Sequence, residues 1–201
     1  MRVLNRKQLL REEIWNRMER EGIAIFPLPC RGRIPNFKGA RAAAERLCLL
    51  PDWKKAKAIF VNPDSPQRSV REYVLKDGKT LIVASPRLEK GILLISPDKA
   101  EGKEYLASTI KGAFRFGVEV EDFAKPDLVV EGSVAVDKWG HRLGKGHGYG
   151  DKEVRALKRR FGEILVATTV HDMQIVEEVP HDERDEKIGI IVTPTRLIHV
   201  Q

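Results

Sequence analysis

Cysteine is scarce. The 201-residue chain has two, Cys30 and Cys48, too few for a disulfide scaffold and not spaced as a C-x-x-C pair. Neither has a base partner nearby in sequence, so both read as small apolar packing residues. No run approaches the ~20 apolar residues that a membrane span needs. The opening MRVLNRKQLLREEIW is charged throughout and lacks the apolar core of a signal peptide. There is no Walker A G-x-x-x-x-G-K-[ST], no H-E-x-x-H, no nucleophile elbow and no aromatic RNP-like element. His141, His181 and His199 show no metal-ligand spacing among themselves. These absences predict a cytoplasmic protein without a membrane partner.

What is present points to one packed domain over residues 1–201. The length matches roughly one domain at ~150 residues each, and 42% hydrophobic content rules out disorder by composition. Charged residues reach 32%, against about 25% in an average protein. Thirty-six Lys and Arg outnumber 29 Asp and Glu, a net charge of +7. A basic balance favours an anionic partner, whether a nucleotide, a polyglutamate tail or RNA.

Asn5 is placed to cap a helix that runs to Glu21 and stops at Gly22. Lys7, Arg11 and Trp15 follow at i, i+4, i+8 and so share one face. PLPCRGRIPNFKG reads as loop, and GARAAAERLCLL as a helix ended by Pro51. Strand patterns at 56–61, 81–84, 92–95, 127–136, 164–170 and 188–192 alternate with helical patterns at 68–76, 101–116 and 151–161. That alternation predicts an α/β fold of three layers, a mainly parallel sheet with helices on both faces.

The most informative segment is GHRLGKGHGYGD at 140–151. Gly144, Gly146, Gly148 and Gly150 alternate with Lys145, His147 and Tyr149. Glycines let the backbone approach a ligand and take positive φ. Successive amides pointing into a concavity bind phosphate oxygens. The helix that opens here adds a partial positive charge at its N-terminus. Arg142 and Lys145 supply full charges, and Asp151 is placed to hold a cation that bridges phosphates. A flexible glycine hairpin is the bland alternative.

The run Arg142-Leu-Gly-Lys-Gly-His-Gly-Tyr-Gly-Asp151 resembles the R-L-G-x-G-x-G-Y-Y-D loop of 5-formyltetrahydrofolate cyclo-ligases, also called methenyltetrahydrofolate synthetases. Lys7-Gln-Leu-Leu-Arg11 is similar to that family's K-x-x-L-R helix. Residues 185–193, DEKIGIIVT, are similar to its D-x-x-V-D-x-[IV]-[LV]-T stretch. RIPNFKGA at 33–40, VNPDSPQ at 61–67, SPRL at 85–88, VEGSVAV at 130–136, VHDMQIV at 170–176 and VTPTR at 192–196 resemble the methenyltetrahydrofolate synthetase domain-containing subgroup. The likeness covers essentially the whole chain.

The resemblance implies the cyclo-ligase fold, of the NagB/RpiA/CoA-transferase-like type. It implies that ATP phosphorylates the formyl oxygen of 5-formyltetrahydrofolate or a related pterin and that ring closure gives 5,10-methenyltetrahydrofolate. Lys7, Arg11, Arg142, Gly144, Lys145, Gly146, Gly148 and Tyr149 then take nucleotide-binding positions, with Arg142, Lys145 and Tyr149 also serving the transfer. Asp151 and Asp185 take magnesium-ligand positions, with Asp182 competing for the second. Asp64 stands where the family has a folate-contacting Glu. Gly150 replaces the second loop tyrosine, and Gly189 replaces a C-terminal acid. His171 reads either as a polar group near the phosphates or as a structural histidine. The alternatives kept beside a ligase are an RNA- or nucleotide-binding module and another ATP-dependent activation on the same scaffold.

Overall fold

The computed structural model describes residues 3–85 and 91–200. In chain order the elements are helices α1 (Val3–Arg20), α2 (Ala40–Cys48) and α3 (Pro51–Lys55), strand β1 (Ala58–Val61), helix α4 (Arg68–Lys76), strands β2 (Thr80–Ala84) and β3 (Ile92–Ile95), and helices α5 (Pro97–Ala100), α6 (Glu104–Ala107) and α7 (Ile110–Phe116). Strands β4 (Val118–Val120), β5 (Leu128–Glu131), β6 (Ala135–Val136) and β7 (Arg142–Leu143) follow. Helix α8 (Tyr149–Phe161) and strands β8 (Val166–Thr169), β9 (Ile190–Val192) and β10 (Leu197–His199) complete the described chain. No described helix is long and apolar enough to cross a membrane.

Eight strands form one sheet in the order β10-β9-β8-β5-β1-β2-β3-β4. The five central strands, β9 to β2, pair in parallel. β3, β4 and β10 join antiparallel at the edges. The seven residues between β2 and β3 are too few for the crossover that a parallel return requires. Along the central strands side chains alternate between two buried faces. Ile59, Val61, Leu81, Val83, Leu128 and Val130 pack under α2, α3, α4 and α7. Phe60, Ile82, Val129, Val166 and Ile191 pack with Val154 and Leu157 of α8. Two buried faces are why these strands read as continuous apolar runs in sequence. A third, smaller core sets α1, through Ile14, Trp15 and Met18, against the 24–43 segment and Leu143 of the β6–β7 hairpin.

Three expectations need correction. The first helix begins at Val3, so Asn5 lies inside its first turn rather than capping it; Leu4, one turn from Lys7, lines a cavity described below and extends the helix over it. Pro51 opens α3 at its first position, where a missing N–H costs nothing. The 101–116 pattern is two helices. Thr109 caps α7 by accepting the Gly112 amide at 2.9 Å, and a Cβ at Gly112 would sit 1.8 Å from the Leu106 carbonyl oxygen. That close crossing is possible only for glycine.

Candidate active site

The strand order reverses at β1 and β5: β1 leads by α4 to β2 on one side, while β5 leads by α8 to β8 on the other. Crevices at such a reversal, beyond the carboxyl ends of parallel strands, are the usual ligand sites of open α/β sheets. Here the crevice is a cavity of about 490 Å³. Asn62 and Asp64 line it from the end of β1, Ser85 from β2 and Gly132 from β5. The glycine-rich loop and the first turns of α8 close its other side. A second cavity of about 250 Å³ lies across the loop, lined by Lys7 and Arg11 of α1, Lys152 and Arg155 of α8, and Asp182, Arg184 and Asp185. Arg142, Gly144, Gly148 and Asp151 border both cavities. Tyr149 borders the larger one, and Gly146 the smaller.

The loop takes its shape from two glycines in the left-handed region, Gly146 (φ 111°) and Gly148 (φ 68°), the latter preceding α8. Helix α1 lies against it: Arg11 Nε donates to the Gly144 carbonyl at 2.8 Å. Lys7 and Arg11 do share the face that spacing assigned them, with Trp15 buried one turn on and donating to the Arg33 carbonyl. Lys7 is buried and reaches the Asp185 carboxylate at 2.5 and 2.8 Å and Asp182 at 3.3 Å. Arg142 is 5% exposed. It donates to the Gly132 carbonyl and to Asp151 Oδ1, both at 2.8 Å. Burial opposes its charge, but Asp151 and Glu131 outweigh that and hold the guanidinium above its usual pKa. Lys145 crosses the larger cavity to Asp64 Oδ1 at 2.7 Å.

Sequence reasoning missed three residues here. Glu131, at the end of β5, is fully buried. Its Oε2 accepts from Asn62 Nδ2 at 3.2 Å, while its Oε1 has no hydrogen-bond partner among the described residues. Burial pushes its carboxyl up to about 7. A lone acid in the apolar strand VVEGSV was the signal that could have found it. Glu153, on the wall of the larger cavity, also has an enclosed oxygen without a partner among the described residues, and burial followed by the charges of Glu131 and Asp64 pushes it up to about 8. Arg71 of α4 is buried behind the wall. It donates to the carbonyls of Asn62 (2.5 Å), Asp64 (3.0 Å) and Ser108 (2.8 Å) and so fixes the loop after β1. Burial lowers it to about 10. Nothing in the α4 pattern separated Arg71 from its surface neighbours.

Gly150 has no left-handed φ. It is small for another reason: a Cβ there would lie 2.5 Å from Glu131 Oε2 and 2.8 Å from an Arg142 nitrogen. The buried pair occupies the space into which a side chain at 150 would begin. Gly189 packs against Leu165, away from both cavities. His171 takes a structural role, its Nδ1 capping the turn at 172–174 by accepting the Met173 amide at 3.1 Å. Burial pushes both cysteine thiols up to about 12, in keeping with packing residues. Of the SPRL segment, residues 86–88 lie outside the described residues.

Residues 3–194 match the 5-formyltetrahydrofolate cyclo-ligase family. The chain belongs to that family. It is 43% identical over 203 residues to the methenyltetrahydrofolate synthase domain-containing protein of Bos taurus, covering 96% of this chain and 53% of that protein. The human counterpart is 40% identical, again over 96% of this chain and 53% of the relative. The chain thus spans about half the length of these curated relatives. A probable 5-formyltetrahydrofolate cyclo-ligase of Schizosaccharomyces pombe is 26% identical, covering 74% of this chain and 80% of the relative. The fold is shared with the 5,10-methenyltetrahydrofolate synthetase of Aquifex aeolicus, with a TM-score of 0.61 and 23% identity over 97% of this chain and 93% of that one.

Proposed function

We propose that this cyclo-ligase family member converts 5-formyltetrahydrofolate, or a closely related reduced pterin, to the 5,10-methenyl form at the expense of ATP. The observation that carries this reading is the pair of cavities meeting across one glycine-rich loop. The larger falls within the ~300–1,000 Å³ of small-molecule sites. The smaller is bordered by six cationic side chains, Lys7, Arg11, Arg142, Lys152, Arg155 and Arg184, against three acids. A triphosphate suits the second and a folate the first, and the loop between them is where their reacting atoms would meet. An amide-type oxygen is a poor leaving group and a phosphate a good one. Phosphoryl transfer to the formyl oxygen therefore lets the second folate nitrogen close the ring as phosphate departs.

Within this reading Gly144, Gly146 and Gly148 offer backbone amides and close approach to phosphate oxygens. Arg11 and Lys145 add charge from either side, and Lys7 and Arg142 hold the acids in place. Tyr149 offers an aromatic surface at the junction. Alignment of two substrates, rather than covalent participation, is the contribution asked of the protein. The donor set fits magnesium. Asp151 and Asp185 both border the smaller cavity, and Asp151 Oδ2 accepts no hydrogen bond among the described residues. Carboxylates completed by phosphate oxygens are what this ion takes, and when bound it would neutralise phosphate charge. Asp182 and Asp185 share Lys7, with Asp185 the closer.

The test follows the near-ultraviolet absorbance of the methenyl product with the folded 201-residue chain, 5-formyltetrahydrofolate and magnesium, with and without ATP. Product that depends on ATP is expected. No product at high protein concentration would remove the reading.

A further inference from the structure

Asp64 is the acid that the resemblance offers for contact with the pterin, but its Oδ1 is already held by Lys145 at 2.7 Å. Glu153 is different. It borders the same 490 Å³ cavity, accepts no hydrogen bond from any described residue, and keeps Oε2 enclosed without a partner. A carboxyl group left unsatisfied on a cavity wall costs free energy that a ligand's N–H donors can recover. One turn earlier on α8 stands Tyr149, also on the cavity wall and 38% exposed. Residues at i and i+4 of a helix lie on one face. The wall therefore presents an aromatic surface with an unsatisfied carboxyl group beside it.

We propose that Glu153, with Tyr149 one turn before it, is the element that recognises the heterocycle, Glu153 accepting from its paired N–H donors while the Tyr149 ring packs on its face. The inference rests on the folate reading of the site and names the group that reads the ring. A 2-amino-4-oxo pyrimidine edge carries N3–H and a 2-amino N–H side by side. Burial holds the Glu153 carboxyl up to about 8 in the free protein, so these donors act by drawing it into the carboxylate form, whose two oxygens accept together. An adenine edge alternates donor and acceptor and does not match. The carboxyl thus selects the pterin over the nucleotide for this cavity.

The test measures affinity by calorimetry for 5-formyltetrahydrofolate and for its 2-desamino-2-methyl analogue, which lacks one donor, in the wild-type chain, Glu153→Gln and Asp64→Asn. Magnesium-ATP is titrated in parallel. The wild type is expected to bind the analogue about tenfold or more weakly than the parent, the scale of one charge-assisted hydrogen bond. Glu153→Gln is expected to bind the parent weakly, to lose the discrimination and to keep its ATP affinity. Asp64→Asn is expected to keep the discrimination. Discrimination that survives Glu153→Gln, that vanishes instead in Asp64→Asn, or a Glu153→Gln defect in ATP rather than folate affinity would overturn the assignment while leaving the ligase reading standing. A wild-type chain that binds neither folate removes the ligase reading, and this inference with it.

Discussion

Replacing Gly150 by alanine sets two effects of opposite sign against each other. Gly150 is the second residue of α8 and has an ordinary φ. On helix propensity alone, alanine there would stabilise the protein by up to about 1 kcal/mol. The structure predicts the reverse. The new methyl would lie 2.5 Å from Glu131 Oε2 and 2.8 Å from an Arg142 nitrogen. Neither group can swing aside. Glu131 is fully buried and held by Asn62, and Arg142 is tied to Gly132 and Asp151. Overpacking of this kind costs roughly 1–3 kcal/mol, so even against the full propensity gain the net effect is destabilisation by up to about 2 kcal/mol. Arg142 borders both cavities, so its displacement is also expected to weaken nucleotide binding. Urea denaturation of the wild type, Gly150→Ala, Glu131→Ala and the double variant measures the pair term. The alanine at 131 makes room, so the double variant is expected to be more stable than the two single effects sum to, by about 0.5–3 kcal/mol. A Gly150→Ala protein more stable than the wild type would refute the reasoning.

The Glu131 carboxyl carries a pH dependence. Its folded-state pKa is raised to about 7 by burial, so it favours folding fully below its ordinary range near 4.5 and loses that contribution as pH rises through 7. Glu131→Gln, which does not titrate, should gain stability relative to the wild type between pH 4.5 and 7.5 by up to about 3 kcal/mol; parallel pH profiles in urea denaturation would contradict this. Arg71→Met leaves three carbonyls, two of them buried, without their donor, and is expected to cost about 3 kcal/mol or more. At temperatures where the variant is folded, it should weaken folate binding more than ATP binding, because the loop it holds lines the larger cavity. Equal losses for both ligands would place its effect elsewhere.

The central sheet was legible because both of its faces are buried, which makes β1, β2, β5, β8 and β9 plain apolar runs. The edge strands β4 and β10 were missed because three residues at an exposed rim carry almost no pattern. The break in 101–116 was invisible because it depends on Gly112 meeting the Leu106 carbonyl, a contact that no local periodicity records. At the site, the glycine alternation and the Lys7–Arg11 spacing pointed to the loop and helix that border the smaller, basic cavity. The larger cavity was harder. Glu153, Glu131 and Arg71 act through burial and long-range contacts, and burial of a charge is a property of the folded chain. Gly150 stood out in the sequence only as a missing tyrosine; the structure gives the reason in the Glu131–Arg142 pair packed beneath it.

The central claim is that the glycine loop and α1 together grip a triphosphate. Calorimetric titration of magnesium-ATP into the 201-residue chain tests it most directly, with Arg11→Ala measured beside the wild type. Saturable heat is expected for the wild type, and about tenfold or more loss of affinity when the guanidinium that reaches Gly144 is removed. No heat with the wild type, or identical affinity in Arg11→Ala, would contradict it.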